Sequence, residues 1–142
     1  AHGLPADNVQ IEPNKGISHR TSPTSIGLYL ISLLAAEKLR LLPAAEAARR
    51  ISETISTLEM LPKWQGPPYS WYDTRTLKPL PPPHVFSADS GQLAVCLTAC
   101  AQGLRALLPI LPETLHDLPA RADALAKGMD LSVLFDEEAE LF

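Results

Sequence analysis

Cysteine is nearly absent from this chain, which carries only Cys96 and Cys100. The two lie four residues apart in an apolar stretch, so a helix would place them on one face, and burial is the usual fate of such thiols. The chain has no Cys-X-X-Cys spacing and no cysteine and histidine cluster, the usual patterns of a zinc site. We therefore expect buried free thiols, no metal site and no cofactor.

The chain also lacks an excess of positive charge and a long apolar run. Its formal net charge is -4, which gives no electrostatic reason to expect a nucleic acid partner. The longest apolar run, residues 26–36, is shorter than the roughly 20 residues that cross a bilayer, so this segment is not expected to insert into a membrane. No basic segment followed by an apolar one opens the chain, so no secretion signal is predicted.

What the sequence does contain is a series of helix signals. Ser22 is a favourable N-cap and Pro23 a favourable first residue, which predicts a helix over residues 22–42. This helix is apolar on nearly every side, which is typical of burial all round, and Gly27 within it indicates close approach of another backbone or a ligand. Residues 43–61 carry a single apolar stripe at helical spacing, as a surface helix does.

Two further helices follow in the second half of the chain. A third is expected from Asp89 or Ser90, either of which can cap it, to about residue 108, and it is again apolar nearly all round. A fourth, amphipathic helix is expected over residues 118–127, with Gly128 as its stop. The predicted order is therefore buried helix, surface helix, loop, buried helix, surface helix.

Two other segments complete the chain. Residues 62–88 form a long connection rich in prolines and aromatic residues, and loops of this length are usually functional or disordered. Its aromatic content argues against disorder, and Trp64 within it is assigned to packing. The tail, residues 131–142, is predicted to form a short β-hairpin.

The alternation of buried and surface helices suits a toroid of helical hairpins, whose inner ring is covered on both sides and whose outer ring is covered on one. A solenoid of helical pairs would alternate in the same way but would show a repeat of fixed period, and none is found. We predict one all-α domain over residues 1–142, toroid-like, with a short C-terminal β-hairpin.

Four motifs occur in order on the predicted connections and helix starts. They are Asp7-Asn8-Val9-Gln10, His19-Arg20-Thr21-Ser22-Pro23-Thr24-Ser25-Ile26-Gly27, Trp71-Tyr72-Asp73-Thr74 and Asp89-Ser90-Gly91-Gln92-Leu93-Ala94. Together with residues 122–142 they closely resemble the glycoamylase-like region of cyclic β-1,2-glucan synthases, which has relatives among hydrolases that process β-1,2-glucan. The resemblance covers nearly the whole chain and is weakest over residues 102–119.

The resemblance implies part of an (α/α)6 toroid that handles β-1,2-linked glucan, by transglycosylation in cyclic glucan synthesis or by glycoside hydrolysis. Because four long helices cannot close a twelve-helix toroid, we expect a fragment of a larger glycoamylase-like domain. The catalytic carboxylates are expected outside this fragment, which alone is expected to be inactive. The resemblance also implies a cytoplasmic location, as part of a larger protein associated with the inner membrane.

Proteins bind sugar hydroxyls through planar polar side chains and sugar rings through aromatic faces. We therefore assign substrate contacts to polar and aromatic residues of the motifs: Asn8, Gln10, His19, Arg20, Trp71, Tyr72, Asp73 and Asp89. Structural alternatives stay open. His19 and Arg20 could tie down a loop, Trp71 could be a hydrophobic plug, Asp73 could form an Asx turn, and Asp89 could cap a helix.

Departures from the family pattern fall at Val9, Ile11, Ser25 and Gln92, where polar or aromatic groups that could touch sugar are altered. The alternative to a glucan-acting segment is a non-catalytic helical scaffold or interaction module, or a degenerate homologue without a sugar function. Part of a toroid also leaves apolar helix faces uncovered, which predicts a homo-oligomer formed through those faces.

Overall fold

The computed structural model describes residues 2–134, and all four predicted helices are present. They are α1 over Pro23–Lys38, α2 over Ala44–Met60, α3 over Ser87–Leu107 and α4 over Leu118–Lys127. The start of α1 is as predicted, because the Ser22 side chain accepts a hydrogen bond from the Ser25 backbone N–H at 3.2 Å. The end of α1 comes earlier than predicted, since Arg40 adopts a positive φ of 58° and turns the chain away.

Short antiparallel pairs tie the connections together. Strand β1, Val9–Gln10, pairs with β2, Gly16–Ile17, and strand β3, Arg20–Thr21, pairs with β4, Tyr72–Asp73. Isolated bridges join Lys63 to Pro68 and Tyr72 to Pro79. The long connection between α2 and α3 is therefore an ordered platform, in agreement with the prediction that its aromatic content argues against disorder.

The helices form two layers, with α1 against α3 in one layer and α2 and α4 in the other. Helices α1 and α3 run parallel, because Gly27 lies against Leu93 and Cys96 near their starts while Gly103 lies against Leu34 farther along. A Cβ at Gly27 would stand 3.0 Å from the Cys96 Cβ, which confirms the predicted close approach.

The core lies between the two layers. It is built mainly from branched aliphatic side chains of all four helices: Ile26, Leu30 and Leu33 of α1, Ile51, Ile55 and Leu58 of α2, Leu93, Leu97 and Leu104 of α3, and Leu118 of α4. The predicted burial of both thiols is confirmed. Burial raises the pKa of the Cys100 thiol to about 12, with the neighbouring Cys96 as the lesser cause.

Helices α1 and α3 are not covered on every side, and their uncovered apolar faces are those expected for part of a toroid. Leu28 of α1 is 53% exposed and Val95 of α3 is 67% exposed. Two layers cover each inner helix only on the sides that face its partner and the outer helices, so the opposite faces meet solvent. Residues Ser87–Ile110 are also long and apolar enough to cross a membrane, a test that core helices of soluble proteins pass as well.

The first half of the predicted C-terminal hairpin is also wrong. Residues Leu131–Leu134 form a 3-10 helix, and the Asp130 carboxylate accepts the Ser132 backbone N–H at 2.9 Å to start that turn. The second half of the predicted hairpin lies in residues 135–142, outside the described residues. A two-stranded hairpin is formed near the N-terminus instead, by β1 and β2.

Candidate functional site

The four sequence motifs meet at one end of the helical layers, which we call the rim. The first motif reaches the second because the Asp7 backbone N–H donates to the Arg20 carbonyl at 2.8 Å. The third motif joins them through the β3–β4 pair, in which Arg20 lies opposite Asp73. The fourth joins through Thr24, whose hydroxyl donates to the Asp89 carboxylate at 2.7 Å and so links the first turns of α1 and α3.

Arg20 is at the centre of the rim. Its guanidinium donates to the Asp7 carboxylate at 3.2 Å, and the Asn8 side-chain amide donates to the same carboxylate oxygen at 2.9 Å. The guanidinium carbon lies 4.5 Å from the centre of the Trp71 ring, a distance typical of a cation–π contact. Arg20, Asp7, Asn8 and Trp71 thus form one polar and aromatic cluster, the Arg20 cluster, with about half of the Arg20 side chain exposed.

The segment that carries Trp71 is extended, and its burial alternates residue by residue. Trp71 and Asp73 are half-buried on the outward face, whereas Ser70, Tyr72 and Thr74 are buried, and Tyr69 is half-buried and packs against the core. Alternation with a period of two is the geometry of a strand, in which successive side chains point to opposite sides. Neighbouring residues of one motif therefore have different roles.

Tyr72 belongs to the inward face and is a structural residue, not a sugar contact. Its side chain is 0% exposed, and its hydroxyl accepts the Tyr69 backbone N–H at 2.8 Å and donates to the Pro62 carbonyl at 2.6 Å. Burial raises its pKa well above the ordinary tyrosine value. A hydroxyl that is shielded from solvent and already forms two hydrogen bonds cannot contact a ligand.

Asp73 adopts the Asx turn that was its structural alternative. One carboxylate oxygen accepts the backbone N–H groups of Arg75, at 2.7 Å, and Thr76, at 3.1 Å, and the other accepts the Arg75 guanidinium at 3.1 Å. The Arg75 side-chain hydrogen bond is the first cause that holds the Asp73 pKa well below its usual range, and the two backbone N–H groups add to it. A carboxylate kept ionised in this way is unsuited to the role of general acid, which needs a raised pKa.

Asp89 does not cap α3. The N-cap position is Phe86, and Asp89 lies inside the first turn, where its carboxylate accepts from Thr24. Ser25, one of the altered family positions, is held by Ser22, since the two hydroxyl oxygens lie 3.1 Å apart. The helix starts at the rim are therefore tied to each other by side-chain hydrogen bonds.

A family described as a protein of unknown function, DUF3131, matches residues 10–85, which is more than half of the chain and includes Arg20, Trp71 and Asp73. The chain belongs to the DUF3131 family. The match in this DUF3131 chain runs from β1 through α1 and α2 to the end of the platform, so it contains most of the rim.

The DUF3131 chain is also similar to a curated protein named cyclic beta-(1,2)-glucan synthase NdvB, from Rhizobium meliloti strain 1021. The two are 36% identical over 134 residues, which covers 82% of this chain but only 5% of that protein. The resemblance to cyclic β-1,2-glucan synthases is thereby confirmed.

Two solved structures share the fold. An endo-beta-1,2-glucanase from Chitinophaga pinensis, in complex with sophorotriose and glucose, has a TM-score of 0.80 at 17% identity and covers 93% of this chain. A provisionally named glucoamylase from Bacteroides fragilis NCTC 9343 has a TM-score of 0.77 at 18% identity over 91% of this chain. The chain spans 32% and 31% of these structures, and the predicted all-α, toroid-like class is confirmed.

Gln10 and His19 stand apart from the Arg20 cluster. Gln10 lies on β1, and His19 is exposed, with its backbone carbonyl accepting the Thr74 N–H at 3.1 Å. Across residues 2–134, neither side chain forms a hydrogen bond or ion pair with the cluster. The His19 backbone bonds the loop, but this contact does not test the His19 side chain, so its loop-tying role and sugar contact by these two side chains both stay predictions.

One group of residues at the rim was not assigned from the sequence. A cavity of about 390 Å³ is lined by Trp64, Tyr69, Pro83, His84 and Val85. The Trp64 side chain is 36% exposed, so most of it is packed while part of it lines the cavity. The signal was available in the aromatic residues that flank the prolines, but it does not tell a lining side chain from a packed one. Among the described residues, no group of three or more histidine, cysteine, aspartate or glutamate side chains could hold a metal ion.

Proposed function

We propose that this DUF3131 chain forms part of the glucan-binding rim of an α/α toroid that acts on β-1,2-glucan. The observation that carries the proposal is the Arg20 guanidinium, which lies over the Trp71 ring and is bonded to Asp7 at the point where all four motifs meet. The names of the cyclic glucan synthase and the endo-glucanase to which the chain is similar support the substrate class.

The Arg20 cluster has the chemistry of a sugar contact. A guanidinium presents several N–H donors in one plane, and the Asn8 amide adds both a donor and an acceptor. Because Arg20 covers one face of the Trp71 ring, a sugar unit would meet the free guanidinium edge and the open part of the indole. The Asp7 contact fixes the guanidinium before the ligand arrives, which lowers the entropic cost of binding.

The rim carboxylates do not supply the reaction chemistry in this proposal. Cleavage or transfer of a glycosidic bond ordinarily needs two carboxyl groups on opposite sides of that bond. Asp7 is paired with Arg20, Asp73 holds its turn, and Asp89 accepts from Thr24. We assign these residues to binding and positioning, with the acid and base supplied by another part of the toroid.

The activity of the whole protein follows as part of the same proposal. We place the chain in a larger transglycosylase or hydrolase of β-1,2-glucan, at the cytoplasmic side of a membrane-associated protein. The exposed faces of α1 and α3 support self-association of the isolated chain, which a sedimentation experiment measures. A Val95→Glu variant should shift the chain toward monomer if Val95 lies in the contact.

The test is a titration of the chain with linear β-1,2-glucooligosaccharides, followed by tryptophan fluorescence. Arg20→Ala should weaken binding by about tenfold or more, since a hydrogen bond to a charged group is worth roughly 1.5–3 kcal/mol. Arg49→Ala is the matched control, because Arg49 is an exposed arginine on α2 paired with Glu46. β-1,4-linked oligosaccharides of equal length test the linkage. Equal affinities of the wild-type chain and Arg20→Ala would contradict the proposal.

A further inference from the structure

The cavity lined by Trp64, Tyr69 and His84 has the features of a binding pocket. At about 390 Å³ it falls in the lower part of the range for ligand pockets. It offers three aromatic rings, each with a polar group, and no indole N–H, phenol or imidazole of the three forms a hydrogen bond within residues 2–134. Its lining contains no aspartate, glutamate, lysine or arginine, which favours a neutral ligand with both apolar faces and hydroxyl groups.

The backbone around this pocket is fixed before any ligand binds. The Tyr72 hydroxyl holds both Pro62 and Tyr69, and the Trp64 backbone N–H donates to the Pro67 carbonyl at 2.9 Å. At the tip of this hairpin, Gly66 has a φ of +121°, and a Cβ there would stand 2.8 Å from the Gly128 carbonyl oxygen. The tip is therefore docked against the end of α4 in a way that only glycine allows.

The other wall of the pocket is also anchored. The Ser70 backbone N–H donates to the His84 carbonyl at 2.8 Å, and the His84 ring stacks on Phe86 with the ring centres 5.9 Å apart. A pocket whose walls are held in this way costs little ordering entropy on binding.

The pocket is close to the Arg20 cluster along the chain, because Tyr69 lines the pocket and Trp71 belongs to the cluster. Tyr69 and Trp71 are both half-buried and lie two residues apart in the extended segment, so their backbones are separated by roughly 6.5–7 Å. A chain molecule that contacts the Arg20 cluster can therefore reach Tyr69 and the pocket behind it.

We propose that Trp64, Tyr69 and His84 form a second subsite, which binds a further glucose unit of the same glucan that contacts the Arg20 cluster. The inference rests on the proposed function, because it takes the ligand to be a glucan. Sugar rings stack on the Trp64 face while the free indole, phenol and imidazole groups bond the hydroxyls. Affinity should therefore rise with chain length until both subsites are filled.

The two tryptophans allow each subsite to be observed separately, because the chain has only Trp64 and Trp71. Trp71→Phe leaves Trp64 as the reporter of the second subsite, and Trp64→Phe leaves Trp71 as the reporter of the Arg20 cluster. Titration with β-1,2-glucan chains from the disaccharide upward should change the Trp71 signal first. The Trp64 signal should change only with longer chains.

Affinity measurements on the full chain by calorimetry give the quantitative test. Trp64→Ala and His84→Ala should each weaken binding of the long chains about fivefold or more and leave disaccharide affinity unchanged. Met60→Ala, which removes another exposed apolar side chain, should change neither affinity. Circular dichroism establishes that each variant is folded, and two variants are used so that unfolding of one does not decide the outcome.

The results separate the two proposals. If the wild-type chain binds glucan and both variants keep its length dependence, the second subsite is excluded while the proposed function stands. If the wild-type chain binds no β-1,2-glucan, both fail. A Trp64 signal that responds to a proline-rich peptide and not to glucan would overturn the subsite in favour of a peptide groove.

Discussion

The inward and outward faces of residues 69–74 are made from similar residues but have different roles. The Tyr72 side chain is fully buried and its hydroxyl is hydrogen-bonded. Its ring packs edge-on against Tyr69, with ring centres 6.3 Å apart. Trp71, the residue before it, lies on the surface under Arg20. Mutations on the inward face should therefore affect stability, and mutations on the outward face should affect binding.

The largest effect is expected from Tyr72→Ala, which tests the inward face. Loss of a fully buried aromatic side chain costs about 3–5 kcal/mol of unfolding free energy. Tyr72→Phe keeps the ring but leaves the Tyr69 N–H and the Pro62 carbonyl without their partner, at a cost of about 1–3 kcal/mol. Urea denaturation followed by circular dichroism measures both. If Tyr72→Ala had the same urea midpoint as the wild-type chain, the stabilising role of the inward face would be contradicted.

A smaller change in stability is expected from Trp71→Ala on the outward face. Its side chain is partly exposed and has no hydrogen bond among the described residues, so we expect a loss of about 1 kcal/mol. Glucan binding should fall clearly in the same variant. The comparison fails if Trp71→Ala unfolds as readily as Tyr72→Ala while the affinity of the folded fraction is unchanged.

The smallest effect is expected from the Asp73 turn, through its dependence on pH. Because hydrogen bonds lower the folded-state pKa of Asp73, its contribution is present above the unfolded-state value of about 3.9 and is lost as pH falls through the folded value. The Arg75 and Thr76 amide signals in NMR should therefore keep their positions below the ordinary aspartate range. Asp73→Asn should shift them at neutral pH without unfolding the chain, and a wild-type transition near pH 4 would argue against the turn.

The helices could be predicted from the sequence because their signals are local. Ser22 and Pro23 mark the start of α1, and the apolar stripe marks the buried face of α2. The roles in the platform could not be predicted, because its alternation is set by pairing with Arg20 and Thr21, which are distant in sequence. Trp71 and Tyr72 are both aromatic, and no local pattern shows which of the two is turned inward.

Features that the sequence did not predict depend on contacts between residues that are distant in sequence. The pocket beside Trp64 was not predicted, and the contact between Gly66 and the end of α4 is a tertiary contact that residue type does not reveal. The strand predicted after residue 131 is replaced by a 3-10 turn that Asp130 starts. Apolar composition alone does not say how many neighbours α1 and α3 have, whereas the toroid-like class predicts the uncovered faces that the structure shows.

The parallel course of α1 and α3 has an electrostatic consequence for the rim. Each helix carries roughly half a positive charge at its N-terminus, and here two such ends stand side by side and repel each other. The Asp89 carboxylate, in the first turn of α3 and bonded to Thr24 of α1, places a negative charge between them. This carboxylate offsets the repulsion, and the remaining positive field is directed at the oxygen atoms of whatever approaches the rim.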